Sequence, residues 1–200
     1  MLIHAILAAS RVNGPGLRAV LFLQGCRLAC ESCWNIRSHA FVGPEIPIAE
    51  VLDRLHAHVS EQRLDGVTFS GGEPMQQAHE LAALLEQLRT AAPDISIGMF
   101  SGYWLGELDS GRFWTRGGGD RNERIGLWRS IRSHVDFGVM GRYNRRQPST
   151  DPLCTSKNQE LHLFTARHSE GEFGEQAVEV TIAADGLTNI TGFPTLGVPA

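Results

Sequence analysis

Cys26, Cys30 and Cys33 stand in one short run, GCRLACESCWN, directly after an apolar stretch. This C-x3-C-x2-C spacing constrains the chain more than any other feature. Three thiolates held so close together can wrap one face of a cubane iron–sulfur cluster. A four-iron cluster normally takes four cysteines, so three leave one iron without a protein ligand. An open coordination position is what a catalytic metal uses to bind its substrate. Zinc is the alternative, with His39 as fourth ligand of a Cys3His set, although the ligand spacing is poor for it. A disulfide would leave an odd cysteine. Cys154, far downstream in a loop-like segment, reads as an ordinary free cysteine.

Composition narrows the function classes. The 200 residues suit one domain, taken here as 1–200. A chain of this size buries about 70% of its unfolded surface and needs no disulfides. Net charge is −4 with no long basic run, which argues against a nucleic-acid partner. Arg142, Arg145 and Arg146 form the nearest thing to a basic cluster and read as a solvated loop. No stretch approaches the roughly 18 apolar residues of a membrane span. Met1 to Ala9 lacks a basic leader and reads as a strand. Four cysteines without an export signal point to a reducing compartment, hence a cytoplasmic location.

The pattern along the chain predicts an α/β fold. Residues 2–8 and 18–23 read as strands around the turn-rich VNGPG. Ile48, Val51, Leu52, Leu55 and Val59 share one helical face. Gly66 to Ser70 reads as a strand that ends in Gly71-Gly72-Glu73-Pro74, and Pro74 suits a helix's first turn. Leu81, Leu84, Leu85 and Leu88 mark a second helix, broken by Pro93, and Ile95 to Phe100 a further strand. This alternation implies a mainly parallel sheet with crossover helices. Such sheets bind ligands at the carboxyl ends of their strands, where both the cysteine loop and GGEP fall. Residues 104–130, with three tryptophans and a triple glycine, read as a flexible insertion flanked by short helices. Val135 to Val139 and Glu160 to Phe164 are candidate strands. The 176–200 tail carries two alternating runs around Asp185-Gly186, a hairpin signal. His56 and His58, two apart on a helix, do not share a face and suggest no metal site.

The cysteine triple and the later GGEP turn, in this order and each at a strand end, resemble the radical SAM superfamily. The flanks narrow the likeness. Ser10, Gly14, Pro15, Gly16, Arg18, Phe22, Gln24, Gly25 and Asn35 match the N-terminal signature of glycyl-radical activating enzymes. The similarity is greatest to those that activate anaerobic ribonucleoside-triphosphate reductases. Ser101-Gly102-Tyr103, Asp136 with Gly141-Arg142-Tyr143, and Ser156-Lys157-Asn158-Gln159 resemble later segments of the same group. Ser32, rather than an aromatic, precedes the third cysteine, as is common in that subgroup. The chain is longer than a minimal activator because of the 104–130 segment and the tail.

The resemblance implies a partial (β/α) barrel and a [4Fe-4S] cluster on Cys26, Cys30 and Cys33. It implies S-adenosyl-L-methionine contacts from Gly71, Gly72 and Glu73, with Tyr103 and Asn35 bordering the site. Trp34 and Asn35 would shape the cluster pocket, and Arg142 would meet a carboxylate. It implies reductive cleavage of S-adenosylmethionine to a 5′-deoxyadenosyl radical that takes a hydrogen atom from a glycine of a partner enzyme. The partners would be a glycyl radical enzyme and a low-potential electron donor such as flavodoxin. No Ser/His/Asp or paired-carboxylate constellation is required, because the cofactor carries the chemistry. Two other functions compete. One is radical chemistry on a small molecule, as in a 7-carboxy-7-deazaguanine synthase-like protein. The other is a non-catalytic iron–sulfur electron-transfer or sensor protein.

Overall fold

The apolar runs pair side by side in a computed structural model that describes residues 1–182, 186 and 188–193. The elements are β1 (Ile3–Ser10), β2 (Arg18–Leu23), α1 (Ile48–Gln62), β3 (Gly66–Gly71), α2 (Ala78–Ala91) and β4 (Ser96–Ser101). There follow α3 (Leu105–Asp109), α4 (Arg121–His134), β5 (Phe137–Met140), β6 (Glu160–Leu163), β7 (Val178–Ile182) and β8 (Thr188–Gly192). Strands β1 to β6 form one sheet in sequence order. The inner pairs β2–β3, β3–β4 and β4–β5 are parallel, while β1 and β6 add at the edges antiparallel. Strands β7 and β8 make a separate antiparallel hairpin, as the tail's alternation predicts. Asp185, expected at its turn, lies outside the described residues.

Alternation along the strands sorts two faces. Ala19, Leu21, Leu23, Val67, Phe69, Ile97 and Met99 point one way and pack in a single core with α1, α2 and α4. Helix α1 buries Val51 and Leu55 fully, and α2 buries Leu81, Leu84, Leu85 and Leu88, the faces predicted from periodicity. The opposite face carries Arg18, Thr68, Ser96 and Phe137 toward one end and Phe22, Ser70 and Phe100 toward the other. Segments after β5 cover it, with Leu153, Cys154 and Phe173 packed on Phe137 and Val139.

The 104–130 segment is not a flexible insertion. It carries the crossover from β4 to β5, and its helix α4 buries Trp128 and Ile131 completely. The missed signal was a capping box: Asp120 accepts from the Glu123 N–H at 2.9 Å, and Glu123 accepts from the Asp120 N–H at 3.2 Å. Trp128 also donates its indole N–H to Asp109 at 2.7 Å, whereas Trp104 and Trp114 remain exposed.

Polar side chains brace the amino-terminal ends of the parallel strands. Arg18 is fully buried and donates to Thr68, Ser96 and the carbonyls of Pro15, Val67 and Ser96. Its guanidinium also lies 4.9 Å from the centre of the Phe137 ring. Burial pushes its pKa down to about 10, against the pull of Asp136 and Asp65, so it stays charged at neutral pH. Ser96, His168 and Glu172 form a hydrogen-bonded chain of 2.7 and 2.9 Å. Ser96 is only 3% exposed beneath Arg18, so the chain ties a loop to the sheet instead of presenting a nucleophile.

Asp136 accepts from the Ile97 N–H at 2.8 Å, from the Thr165 hydroxyl at 2.8 Å and from Arg89 at 3.2 Å. Burial opposes its charge, but these donors outweigh burial and hold its pKa below the ordinary value. A carboxylate of this kind contributes stability above its unfolded-state pKa of about 4, and the contribution is lost as pH falls through the lower native value. Asp136→Asn is therefore expected to cost ~2–3 kcal/mol at pH 7 in urea unfolding. The gap from the parent should narrow as pH falls below about 4. A gap that stays constant to pH 2 would assign the loss to packing instead of charge.

Candidate functional site

The chain after β2 is shaped by backbone contacts before any side chain acts. The Gly25 N–H donates to the Ser38 carbonyl at 2.7 Å, and the Cys26 N–H to the His39 carbonyl at 2.9 Å. The Cys33 N–H closes a turn on the Cys30 carbonyl at 3.2 Å. Ala29 (φ 51°) and Ser32 (φ 58°) adopt left-handed conformations, curling the loop back on itself. As a result Cys26, Cys30 and Cys33, each partly buried, line one cavity of about 570 Å³.

The Gly71-Gly72-Glu73 turn lies against this loop. The Gly72 N–H donates to the Leu23 carbonyl at 2.7 Å and the Glu73 N–H to the Gly25 carbonyl at 2.9 Å. A Cβ on Gly71 would sit 2.6 Å from the Leu23 nitrogen, and one on Gly72 would collide with the Gly25 carbonyl. Gly71 also has φ 92°, which favours glycine. Both glycines are therefore required by close packing of two backbones. Glu73, 1% exposed, accepts from the Met75 N–H, the Ser101 hydroxyl and the Gly102 N–H at 2.7 to 2.9 Å. Burial lifts its pKa to about 7, against the stabilising donors.

Other anchors were not singled out from the sequence. Gln77 exchanges hydrogen bonds with both backbone groups of Leu2 and donates to the Gln24 carbonyl at 3.0 Å. Gln76 accepts from the Arg27 N–H at 2.8 Å and donates to the Tyr103 hydroxyl at 3.1 Å. Two adjacent glutamines directly after GGEPM were the available signal. Gln159, which the Ser156–Gln159 resemblance already marked, is a further hub: its carboxamide oxygen accepts from the Thr155 and Ser156 backbones, and its nitrogen donates to the Gly141 carbonyl.

The cavity gathers most of the sequence-selected residues. Gly71, Gly72, Glu73, Asn35 and Trp34 line it with the cysteines. Tyr103 does not line it; it is 5% exposed, and its hydroxyl is held by Gln76 and the Trp114 N–H. Arg142 meets a carboxylate: it forms a two-point pair with Glu107 at 2.7 and 3.1 Å. The neighbouring arginines are exposed, as a solvated loop requires, and reach polar groups of the cysteine loop. Arg145 donates to Ser32 at 2.8 Å, and Arg146 reaches Glu31 at 3.5 Å. Cys154 is buried, outside the cavity lining, and burial raises its thiol to about 11.

The donor set on this cavity is three thiols. Among the described residues no three Cys, His, Asp or Glu side chains converge enough to hold a single ion. His39, the fourth ligand of the zinc alternative, is not among the residues that line the cavity with the three thiols. Three thiols lining one cavity are one short of the four that a four-iron cluster normally takes. Burial, with the charge of Glu73, pushes the Cys26 thiol up to about 12, and burial raises Cys30 and Cys33 as well. Thiols so placed ionise only against a strong positive centre.

Residues 12–162 match the family described as a 4Fe-4S single cluster domain. The anaerobic ribonucleoside-triphosphate reductase-activating protein of Vibrio cholerae is 29% identical over 169 residues, covering 81% of this chain and 97% of that protein. The protein of the same name from Enterobacteria phage T4 is 26% identical, covering 75% of this chain and 86% of its own length. The Salmonella typhi protein is 30% identical, covering 54% and 72%. The chain belongs to the family of anaerobic ribonucleoside-triphosphate reductase-activating proteins. The family match spans both the cysteine loop and the Gly71–Glu73 turn and ends before β7.

Because only backbone atoms meet at Gly72, a methyl there has nothing flexible to displace. Gly72→Ala is expected to cost about 1–3 kcal/mol. It should also lower iron bound per chain after anaerobic reconstitution, measured by iron analysis and visible absorbance. Full iron loading at parental stability would show that the contact is dispensable.

Proposed function

We propose that this chain is a radical SAM enzyme that installs a glycyl radical on an anaerobic ribonucleotide reductase. The observation that carries the reading is the convergence of three thiols and the Gly71–Glu73 turn on one cavity. Its volume falls in the range of roughly 300–1,000 Å³ typical of cofactor sites. Cys26, Cys30 and Cys33 would hold a [4Fe-4S] cluster. When bound, the reduced cluster would pass one electron to the sulfonium of S-adenosylmethionine, giving methionine and a 5′-deoxyadenosyl radical that takes hydrogen from a glycine Cα.

This chain's residues supply placement. Gly71 and Gly72 bring their backbone to the cavity wall beside the cysteines, suited to pairing with the amino group of S-adenosylmethionine. Glu73 contributes through its main chain, since its carboxylate is taken by Met75, Ser101 and Gly102. Asn35 borders the cluster side, and Tyr103 supports the wall from behind through Gln76. Phe22, Leu28 and Phe100 keep part of the lining apolar, which limits water near a reactive species.

Helices on one sheet face and the cavity on the other support a partial (β/α) barrel, with residues 1–200 as one domain. A low-potential donor such as flavodoxin would supply the electron. The relatives' names favour a protein substrate over a small molecule or a purely electron-carrying role. No helix among the described residues is long and apolar enough to cross a membrane.

Anaerobic reconstitution, dithionite and S-adenosylmethionine should yield 5′-deoxyadenosine and methionine in equal amounts. Cys30→Ala should lose the cluster absorbance and at least 100-fold of the product, about 2.7 kcal/mol or more of barrier. A reconstituted cluster that leaves S-adenosylmethionine intact would reject the proposal.

A further inference from the structure

The hairpin β7–β8 lies beyond the family match, yet Ile190, Thr191, Gly192 and Phe193 line the cavity. It is pinned at one end of that cavity. Asn13 donates to the Thr191 hydroxyl at 3.0 Å, the Arg11 N–H reaches Glu179 at 3.2 Å, and Phe193 packs on Phe100 at 5.8 Å between ring centres. The polar side, Glu179 and Thr191, is therefore the side that faces the protein.

The apolar side faces out. Val178, Val180 and Ile182 alternate along β7, and Val180 stands opposite Ile190, so all four share a face. They are 42%, 56%, 71% and 68% exposed. A half-buried strand ordinarily turns its apolar side inward, and this hairpin does the reverse. Ile190 belongs both to that exposed stripe and to the cavity lining, so the stripe borders the cavity at that residue. Charge adds a second constraint: Glu170, Glu172 and Glu175 precede the stripe in the chain, and no lysine or arginine occurs from His168 to Phe193.

We propose that the outward face of the β7–β8 hairpin is the docking element for the glycine-bearing segment of the partner enzyme. The inference rests on the function proposed above. A protein substrate must cross the cavity's rim to bring a main-chain glycine inside, and here the rim is an apolar strand pair. The complementary occupant is an extended segment with apolar side chains and flanking basic residues. A hairpin alone is marginal in water, and covering this face would stabilise it.

The test uses the full chain and the anaerobic ribonucleoside-triphosphate reductase of the same organism. Val180→Glu/Ile182→Glu places charges on the stripe without touching the cavity lining, and Val42→Glu, also exposed, is the control. Calorimetric titration without S-adenosylmethionine should show reductase affinity lowered about tenfold or more by the double variant and unchanged by the control. With S-adenosylmethionine and dithionite, 5′-deoxyadenosine formed without the reductase should stay within about twofold of parent. The glycyl signal by electron spin resonance should fall at low reductase and recover at high reductase. Unchanged reductase affinity in the double variant would overturn the docking proposal, as would a dimer that the variant converts to monomer. Loss of S-adenosylmethionine cleavage in the parent would overturn the enzymatic reading alone, because the titration does not depend on it. Should the double variant unfold early in thermal melts, Ile182→Ser, the milder change, decides by the same titration.

Discussion

Two strand ends touch backbone to backbone where Gly71 and Gly72 press on Leu23 and Gly25, and the site depends on that contact. No side chain fits between them. The Glu73 N–H and the Gly25 carbonyl then lock the cysteine loop to the next strand's turn. Without this approach the thiols and the GGE main chain would still occupy one rim but would not share a cavity wall. The glycines thus have a packing reason that stands apart from any ligand.

The two ends of the parallel strands are built from different materials. At the amino-terminal end, Arg18 and Asp136 saturate buried backbone and hydroxyl groups, and Gly14, Gly66 and Gly98 leave room for the Arg18 and Phe137 side chains. That end is closed by polar bonds in low dielectric, where each unmade bond is costly. At the carboxyl end the strands stop short and loops take over. This division gives a rigid base and an accessible rim, the arrangement on which open α/β sheets carry their ligands.

Much of this was legible in the order of residues. Periodicity identified α1 and α2 because their buried positions recur every three or four residues. The cysteine spacing and GGEP named the rim because those residue types have few other uses at strand ends. The 104–130 segment misled because its glycines and arginines dominate the composition, while its helix depends on one capping box and one buried tryptophan. Tyr103, after β4, suits either the site or the core by residue type, and Gln76 and Trp114 hold its hydroxyl in the core. The Gln76-Gln77 pair passed unnoticed because a glutamine's partners, here Leu2, Gln24 and Arg27, lie far away in the chain.

By itself the sequence determined the local order: strand, thiol loop, helix, strand, glycine turn, helix, and a polar–apolar alternation in the tail. These follow from side-chain period and backbone permission, which act over a few residues. Only the tertiary structure decided that three thiols and two glycines face one chamber, and that the tail's hairpin closes its far wall with its apolar side outward. Those outcomes depend on pairings between residues more than a hundred positions apart, such as Asn13 with Thr191, and on which faces remain after the core is filled. No local rule contains that information, because burial is a property of the whole packed chain.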